Sequence, residues 1–196
     1  MVDELFVTPN AARRDRDLLR TAAAAGTRVT LVTDRVADSL SDTVTPQGVV
    51  AVVRGDDTDL AAVLAGHPRL LAVLVDVADP GNAGTVIRTA DAVGADAVVL
   101  AGASVDPHNP KCVRASAGSL FHLPVIRGGD MTSVAESLSS AGVRTIATTL
   151  DDDADDLDNS GVQDLLGGPV AWLFGNEAHG LSAAITGLAD ARVRIP

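Results

Sequence analysis

The amino-acid sequence predicts an α/β protein in which a parallel sheet follows a smaller α/β unit. In the later two thirds of the chain, short apolar runs alternate with helical patterns, which is typical of parallel strands covered on both faces. Hydrophobic residues make up 46% of the 196 residues, which is enough for a substantial core. A polar stretch, "RGDDTDL" from Arg54, separates this part from the elements before it.

We expect a first unit over residues 1–53, a linker over 54–66 and the parallel-sheet domain over 67–196. In the first unit, strands are predicted in "ELFVT", "RVTLVT" and "TPQGVVAVV", with helices near 10–25 and 34–41 between them. The strands of the second domain are predicted at 70–77, 97–101, 123–126, 144–149, 170–174 and 192–195.

Cysteine and histidine usage excludes several classes of protein. Cys112 is the single cysteine, so there is no internal disulfide framework, and no Cys/His spacing indicates a metal site. His108 and His122 lack partners at ligand spacing, which favours a structural or surface role. No apolar run reaches the roughly 18 residues of a membrane span, and the charged N-terminal region does not resemble a signal peptide. We therefore expect a cytoplasmic protein without a metal or a membrane partner.

The net charge of −11 argues against a polyanionic partner, but the charge is unevenly distributed. Residues 151–164 contain seven Asp and no basic residue, and we interpret them as a solvated loop rather than a metal site. The basic residues are almost all arginine, which suits phosphate recognition, although codon bias in a GC-rich genome explains this equally well. Arginines are frequent near the start of the chain, at Arg13, Arg14, Arg16 and Arg20.

The first loop with unusual chemistry follows the strand "LLAVLVDV". Ligands of open α/β sheets bind beyond the carboxyl ends of the strands, and "ADPGNAGTVIRTADAVG" begins at such an end. Asn82 is suited to cap a helix there and Gly94 to end it. The apolar stripe of this helix is predicted to comprise Val86, Ile87, Ala90 and Val93. Arg88 lies two residues from Val86 and two from Ala90, about 200° around the helix from each, and is therefore expected to face away from the core. It is either a plain surface arginine or a contact to a phosphate or a second subunit.

Two further loops follow later strands. In "DPHNPKCVRASAGSLFHLPV", Asn109 and Pro110 predict a helix start. Arg114, Ser116 and Gly118 either contact a polyanion or complete a tight helix end. In "WLFGNEAHGLS", we expect Gly175 to provide unusual dihedrals and Gly180 to allow a close approach. Glu177 between them is either a capping carboxylate or a functional one.

Four segments together resemble the SpoU/TrmH family of SPOUT RNA methyltransferases, in order and spacing. They are "DPGNAGTVIRTADAVGADAVVL" (79–100), "RASAGSLFHLPV" (114–125), "LFGNEAHGLS" (173–182) and "VRIP" (193–196). The resemblance extends from about residue 67 to the end, and residues 1–53 resemble part of an L30e-like substrate-binding domain.

The resemblance implies a homodimer with a C-terminal trefoil knot that moves a methyl group from S-adenosylmethionine to a ribose 2′-hydroxyl of tRNA or ribosomal RNA. The residues that match the family's catalytic positions are Asn82, Arg88 and Glu177. The cofactor cradle corresponds to Thr148, Thr149, Leu150, Leu173, Gly175, Asn176, Gly180 and Ile195. Predicted RNA contacts are Arg13, Arg14, Arg16, Arg114 and Ser116. Because a guanidinium is a poor general base, we expect Arg88 to stabilise a forming alkoxide or to anchor a phosphate.

The sequence departs from the family pattern after "RVRIP", where the third motif and a final helix are expected. The first unit likewise lacks an initial strand and helix of the L30e-like domain. We therefore expect a longer parent protein. Two alternatives to the methyltransferase are a non-catalytic RNA-binding or ribosome-associated dimer and, more weakly, a nucleotide-binding enzyme. A GxGxxG motif after a strand would favour the last, and there is none.

Overall fold

A computed structural model describes residues 2–41, 43, 45–55 and 58–194. The chain divides into two compact units, Met1–Asp57 and Thr58–Pro196. The stretch 54–66, expected to be a linker, contains helix α4 (Leu60–Ala65), and Leu60, Val63 and Leu64 pack on the core of the second unit. This helix begins where the Asp59 side chain accepts a hydrogen bond from the backbone N–H of Ala62.

In its described residues, the first unit has a three-stranded sheet and three helices. Its elements are β1 (Val2–Val7), α1 (Pro9–Arg14), α2 (Arg16–Ala24), β2 (Arg28–Leu31), α3 (Asp34–Ser39) and β3 (Val49–Val53). β1 lies in the centre, parallel to β2 and antiparallel to β3. The single helix predicted near 10–25 is divided at Asp15, which has a non-helical backbone (φ −107°, ψ 45°) and whose carboxylate binds the neighbouring Arg14 side chain.

The second unit after α4 alternates strands and helices. Its elements are β4 (Leu70–Val75), α5 (Pro80–Ala92), β5 (Ala97–Ala101), α6 (Pro110–Ala115), a 3-10 turn (Ser119–Phe121), β6 (Val125–Gly129), α7 (Met131–Ser140), β7 (Arg144–Thr149), β8 (Asp155–Asp156), α8 (Ser160–Leu166), β9 (Val170–Phe174), α9 (Ala183–Thr186) and β10 (Ala191–Arg194).

The seven strands of this unit form one sheet in the order β6-β5-β4-β9-β7-β10-β8, and all of its strand pairs are parallel. Both faces carry a buried apolar cluster, one around Leu71 and Leu173, the other around Leu74 and Ile87. The predicted fold class is therefore confirmed. The loops that follow β4, β5, β7 and β9 leave the sheet at the same edge, because the strands run in one direction.

Residues 151–158 belong to the acidic stretch that we expected to be a solvated loop, but strand pairing and ion pairs hold them against β10. β8 pairs with β10, and the two half-buried arginines of β10 contact the segment. Arg192 contacts Asp153 at 2.8 Å, and Arg194 contacts Asp156 at 3.2 Å. Such exposed ion pairs each contribute roughly 0–1 kcal/mol, so they orient the segment more than they stabilise it.

Helix α5 buries a narrower stripe than predicted. Ile87 and Ala90 are buried, together with Ala83, but Val93 is 63% exposed. The helix ends at Ala92, and Val93 is the residue that caps its end, so its side chain leaves the stripe. Gly94 follows with φ +74° and ends the helix as expected. No helix in the described part of the chain combines the length and apolar character needed to cross a bilayer.

Candidate active site

Helix α5 begins at Asp79 and Pro80 rather than at Asn82. The Asp79 side chain accepts a hydrogen bond of 2.9 Å from the backbone N–H of Asn82, and Pro80 occupies the first helical position. Proline suits that position because its missing N–H would have no helical partner there. The prediction that Asn82 is the cap is therefore wrong, and its side chain is free for another contact.

That contact joins the first loop to the third. The Asn82 side-chain amide donates to Glu177 Oε1 at 3.3 Å, across 95 residues of sequence. The same carboxylate accepts from the backbone N–H groups of Ala78 at 3.3 Å and Asp79 at 3.2 Å. Glu177 thus binds three donors at the start of α5, so the structure brings together two of the three predicted catalytic residues.

Glu177 is held in its ionised form by these donors. Desolvation raises the pKa of its carboxyl group, but the hydrogen bonds from its own backbone, Asp79, Ala78 and Asn82 outweigh that effect and leave the pKa below its ordinary value. A carboxylate with a lowered pKa and three donors is a weak proton acceptor. The geometry therefore indicates that Glu177 orients the β4–α5 loop.

The loop that carries Glu177 is a tight turn that contains two glycines, Gly175 and Gly180. Asn176 and Gly180 form a bridge, with backbone N···O distances of 3.1 and 2.8 Å. Gly180 has the left-handed dihedral (φ +66°), whereas a Cβ on Gly175 would collide with the backbone of Gly180 and Leu181. We expected the opposite assignment. The sequence identifies both glycines, but only the turn geometry shows which needs dihedral freedom.

Arg88 lies two turns into α5 and is exposed, as its helical position predicts. Within the described residues, its guanidinium has no hydrogen-bond or ion-pair partner. Most of the other basic side chains of this unit are paired with carboxylates, so Arg88 is one of the few cations here that can receive an external anion.

Helix α6 packs closely on α5 and brings the chain's one lysine to the site. Asn109 caps α6 and Pro110 begins it, as predicted. Lys111 Nζ contacts Asp79 Oδ2 at 2.7 Å, and this hydrogen bond, together with the one from Asn82, holds the pKa of Asp79 below its ordinary value. Sequence reasoning missed Asp79, although the same rule that located Asn109 before Pro110 locates Asp79 before Pro80.

The two residues predicted as RNA contacts on α6 differ in accessibility. Arg114 is exposed and has no partner within the described residues. Ser116 is fully buried, and its hydroxyl donates to the carbonyl of Val113 at 2.8 Å. Ser116 therefore completes the end of α6, which is one of the two roles considered for it, and Gly118 follows with φ +99° in a tight turn.

The residues expected to hold a cofactor meet at the ends of β7 and β9. Thr148 donates its hydroxyl to the carbonyl of Leu173 at 2.9 Å, which joins the two neighbouring strands. Thr149 is half-buried beside them, and Leu150 is 87% exposed. Ile195 lies outside the described residues. Leu150 therefore adds an exposed apolar side chain directly after these two threonines.

The three arginines of the first unit that are predicted to contact RNA differ in their hydrogen bonds and ion pairs. Arg14 forms an ion pair of 2.6 Å with Asp15 and also donates to the carbonyl of Gln47. Arg13 contacts Asn10. Arg16 is exposed and unpaired within the described part of the chain. All three are exposed, so all three stay predicted RNA contacts, with Arg16 the least engaged.

An apolar cavity of about 400 Å³ lies between α5 and the sheet, lined in part by Val86, Val93, Trp172 and Phe174. Neither Asn82 nor Glu177 lines it, so it is separate in composition from the polar site. Among the described residues, no group of three or more His, Cys, Asp or Glu side chains is placed to hold a metal ion.

Comparison with known proteins identifies this architecture as that of a methyltransferase with an attached substrate-binding domain. Residues 69–196 match the model of the SpoU rRNA Methylase family, and residues 1–58 match the RNA 2′-O ribose methyltransferase substrate binding domain. The chain belongs to the SpoU rRNA methylase family, which confirms the resemblance inferred from its motifs.

Three similar proteins illustrate the match. A 23S rRNA guanosine 2′-O-methyltransferase of Bacillus subtilis is 30% identical over 100% of this chain and 76% of its own length. A 23S rRNA uridine 2′-O-methyltransferase of Streptomyces viridochromogenes is 36% identical over 92% of this chain and 62% of its own length. The crystal structure of an AdoMet-bound rRNA methyltransferase from Sinorhizobium meliloti has a TM-score of 0.83 at 31% identity, and covers 100% of this chain and 71% of that one.

Proposed function

We propose that this protein is an S-adenosylmethionine-dependent methyltransferase that acts on a ribose 2′-hydroxyl of ribosomal RNA. One observation supports this above the others. The Asn82–Glu177 contact brings two family motifs together at the carboxyl edge of a SpoU-type sheet, on the helix that carries the unpaired Arg88. Ribosomal RNA is preferred to tRNA because the named relatives act on 23S rRNA.

The reaction needs a positioned methyl donor and a 2′-oxygen that releases its proton to solvent, because Arg88 and Glu177 are both poor proton acceptors. When bound, S-adenosylmethionine supplies the methyl group from its sulfonium. The residues at the ends of β7 and β9 that would hold it are Thr148, Thr149, Leu150, Leu173, Gly175, Asn176 and Gly180. Positioning accounts for much of the rate of such a transfer.

The residues on α5 act on the RNA side of the reaction. Glu177 keeps the start of α5 in place, and Asn82 is fixed by that carboxylate. The Arg88 guanidinium stabilises the negative charge that develops on the 2′-oxygen, or holds the adjacent phosphate. Because Arg88 projects away from its own sheet, we further propose that it serves the substrate of a second subunit in a homodimer.

The first unit selects the RNA in this proposal, with Arg13, Arg14 and Arg16 contacting phosphates and Arg114 contributing from α6. With a net charge of −11, the chain attracts RNA only through local basic patches, so binding should weaken steeply with salt. An RNA substrate in the ribosome agrees with the cytoplasmic location expected from the sequence. The C-terminal knot implied by the resemblance stays a prediction.

Two measurements test this function. Calorimetric titration with S-adenosylmethionine and then S-adenosylhomocysteine should give one saturable site per chain. Transfer of a tritiated methyl group should label ribosomal RNA from an extract lacking the endogenous enzyme, and nuclease digestion should locate the label on a ribose. RNA binding without cofactor binding or methyl transfer would instead favour the non-catalytic RNA-binding dimer. A monomeric scattering mass at micromolar concentration would contradict the exchange of Arg88 between subunits.

A further inference from the structure

Strand β4 ends at a residue with unusual backbone geometry. Asp76 follows Val75 with φ +55°, in the left-handed region that few residues other than glycine adopt. Asp, Asn and His tolerate that region better than most residues do. Asp76 is exposed at the carboxyl edge of the sheet, where the candidate active site lies.

Asp76 connects the end of β4 to two other loops, those that follow β5 and β9. Its side-chain Oδ1 accepts a hydrogen bond of 2.7 Å from the backbone N–H of Ala103, in the loop after β5. Its backbone carbonyl accepts a hydrogen bond of 2.8 Å from the side-chain amide of Asn176, in the loop after β9. The side chain also lies against Gly102, where a Cβ would collide with Oδ1. These contacts come from opposite sides, because β5 and β9 flank β4.

The residues that follow Asp76, Val77 to Asp79, also bind the loops after β5 and β9. The backbone N–H of Val77 donates to Ser104 Oγ at 3.1 Å, and the carbonyl of Val77 accepts from the N–H of Val105 at 2.9 Å. On the other side, Glu177, the neighbour of Asn176, binds the backbone of Ala78 and Asp79. The loop after β9 therefore contacts a continuous stretch of chain, from the Asp76 carbonyl to the backbone N–H of Asp79 at the start of α5.

We propose that Asp76 is a positioning residue for methyl transfer: its left-handed backbone and its bond to Ala103 aim its carbonyl at Asn176, and so place Glu177 against the start of α5. This proposal rests on the proposed function. If the Asp76 backbone relaxes, its carbonyl turns away from Asn176, Glu177 loses its fixed position relative to Ala78 and Asp79, and Asn82 and Arg88 lose their alignment with the cofactor cradle.

His67 provides a matched control at the other end of the same strand. It precedes β4, is exposed and also has φ +55°, but it lies at the edge of the sheet opposite the site. Asp76→Ala and His67→Ala therefore impose a similar backbone strain at the two ends of β4. Only the first removes a side chain that connects active-site loops.

The test compares Asp76→Ala, Asp76→Asn, Asp76→Gly and His67→Ala in full-length chains. For Asp76→Ala, the single-turnover rate of methyl transfer should fall at least tenfold, while the calorimetric Kd for S-adenosylmethionine changes less than threefold. Asp76→Asn keeps an acceptor and tolerates the left-handed region, so its rate should stay within threefold of wild type. Asp76→Gly keeps the turn without the acceptor and should lie between them. His67→Ala should transfer at the wild-type rate.

Hydrogen exchange supplies a readout that does not depend on activity. The peptide 76–82 should exchange faster in Asp76→Ala than in wild type, and at the wild-type rate in His67→Ala. Unchanged exchange and unchanged transfer in Asp76→Ala would overturn the proposal, as would equal losses of transfer in Asp76→Ala and Asp76→Asn, or full transfer in Asp76→Gly. A wild-type protein that transfers no methyl group, combined with faster exchange in Asp76→Ala, would refute the proposed function but support the coupling of the loops.

Discussion

Replacing Arg88 by alanine should separate activity from stability more cleanly than any other change at the site. Arg88 is exposed on α5 and has no partner within the described residues. A surface substitution of this kind changes the free energy of unfolding by about 0.5 kcal/mol or less. Alanine is also at least as good a helix former as arginine. The melting temperature of the variant should therefore stay within about 3 °C of wild type.

The effect on catalysis should be much larger. If Arg88 stabilises the charge that develops on the 2′-oxygen, its loss should lower the single-turnover rate by about 10²–10³-fold, or roughly 2.7–4 kcal/mol. The assay is transfer of a tritiated methyl group to ribosomal RNA at saturating S-adenosylmethionine. The Kd for the cofactor, measured by calorimetry, should change by only a few fold.

Arg69→Ala is the matched control. Arg69 is an exposed arginine of the same unit, also unpaired in the described part of the chain, but it precedes β4 and so lies at the opposite edge of the sheet. Its loss removes the same charge and should leave transfer unchanged. If Arg88→Ala retains most of its activity, or if both variants lose activity equally, then Arg88 has no specific role in the reaction.

Three further changes test the packing and electrostatics of the site. In Gly84→Ala, the added Cβ would lie 2.6 Å from the Ala115 Cβ. The variant should be less stable than wild type, because overpacking costs about 1–3 kcal/mol and the better helix propensity of alanine returns only about 1 kcal/mol. A higher free energy of unfolding in urea would contradict this. Glu177→Gln should reduce transfer at least tenfold with little change in cofactor affinity, because it removes the charge that holds three donors; wild-type transfer would exclude Glu177 as a positioning residue. Burial raises the pKa of Asp190, but its bonds to Thr145 and Arg144 outweigh burial and lower it. Because Asp190 is exposed, solvent screens its charge interactions; Asp190→Ala should cost about 1 kcal/mol at pH 7, because it removes the acceptor of the N–H and hydroxyl of the buried Thr145. A carboxylate whose pKa is lower in the folded than in the unfolded protein stabilises the fold at pH values above its unfolded-state pKa, and this stabilisation is lost as the pH falls through its folded-state pKa. The deficit of Asp190→Ala should therefore shrink below about pH 4. A deficit independent of pH would contradict the assignment.

Much of the fold could be predicted from the sequence because its signals are local. The strands of the parallel sheet are buried on both faces, so they read as continuous apolar runs such as "LLAVLV" and "AVVLA". The start of α6 follows from Asn109 before Pro110. The outward direction of Arg88 follows from helical periodicity alone.

The connections within the site could not be predicted, because they join residues that are distant in sequence. Nothing near Glu177 shows that its carboxylate binds the backbone of Ala78 and Asp79. The short strand β8 was missed because its stability comes from pairing with β10 and not from its own acidic sequence. The left-handed turn at Asp76 gives only a weak local signal, because aspartate is common in ordinary loops.

The pairing of Lys111 with Asp79 has a practical consequence. Lys111 is the only lysine among the 196 residues, and its side chain is 58% exposed beside the first turn of α5. Within these 196 residues, an amine-reactive dye or cross-linker therefore has a single ε-amino target, and that target adjoins the proposed RNA face. A cross-linker attached there would capture the nucleotides nearest the site without any engineered cysteine, so the bound RNA could be identified by sequencing.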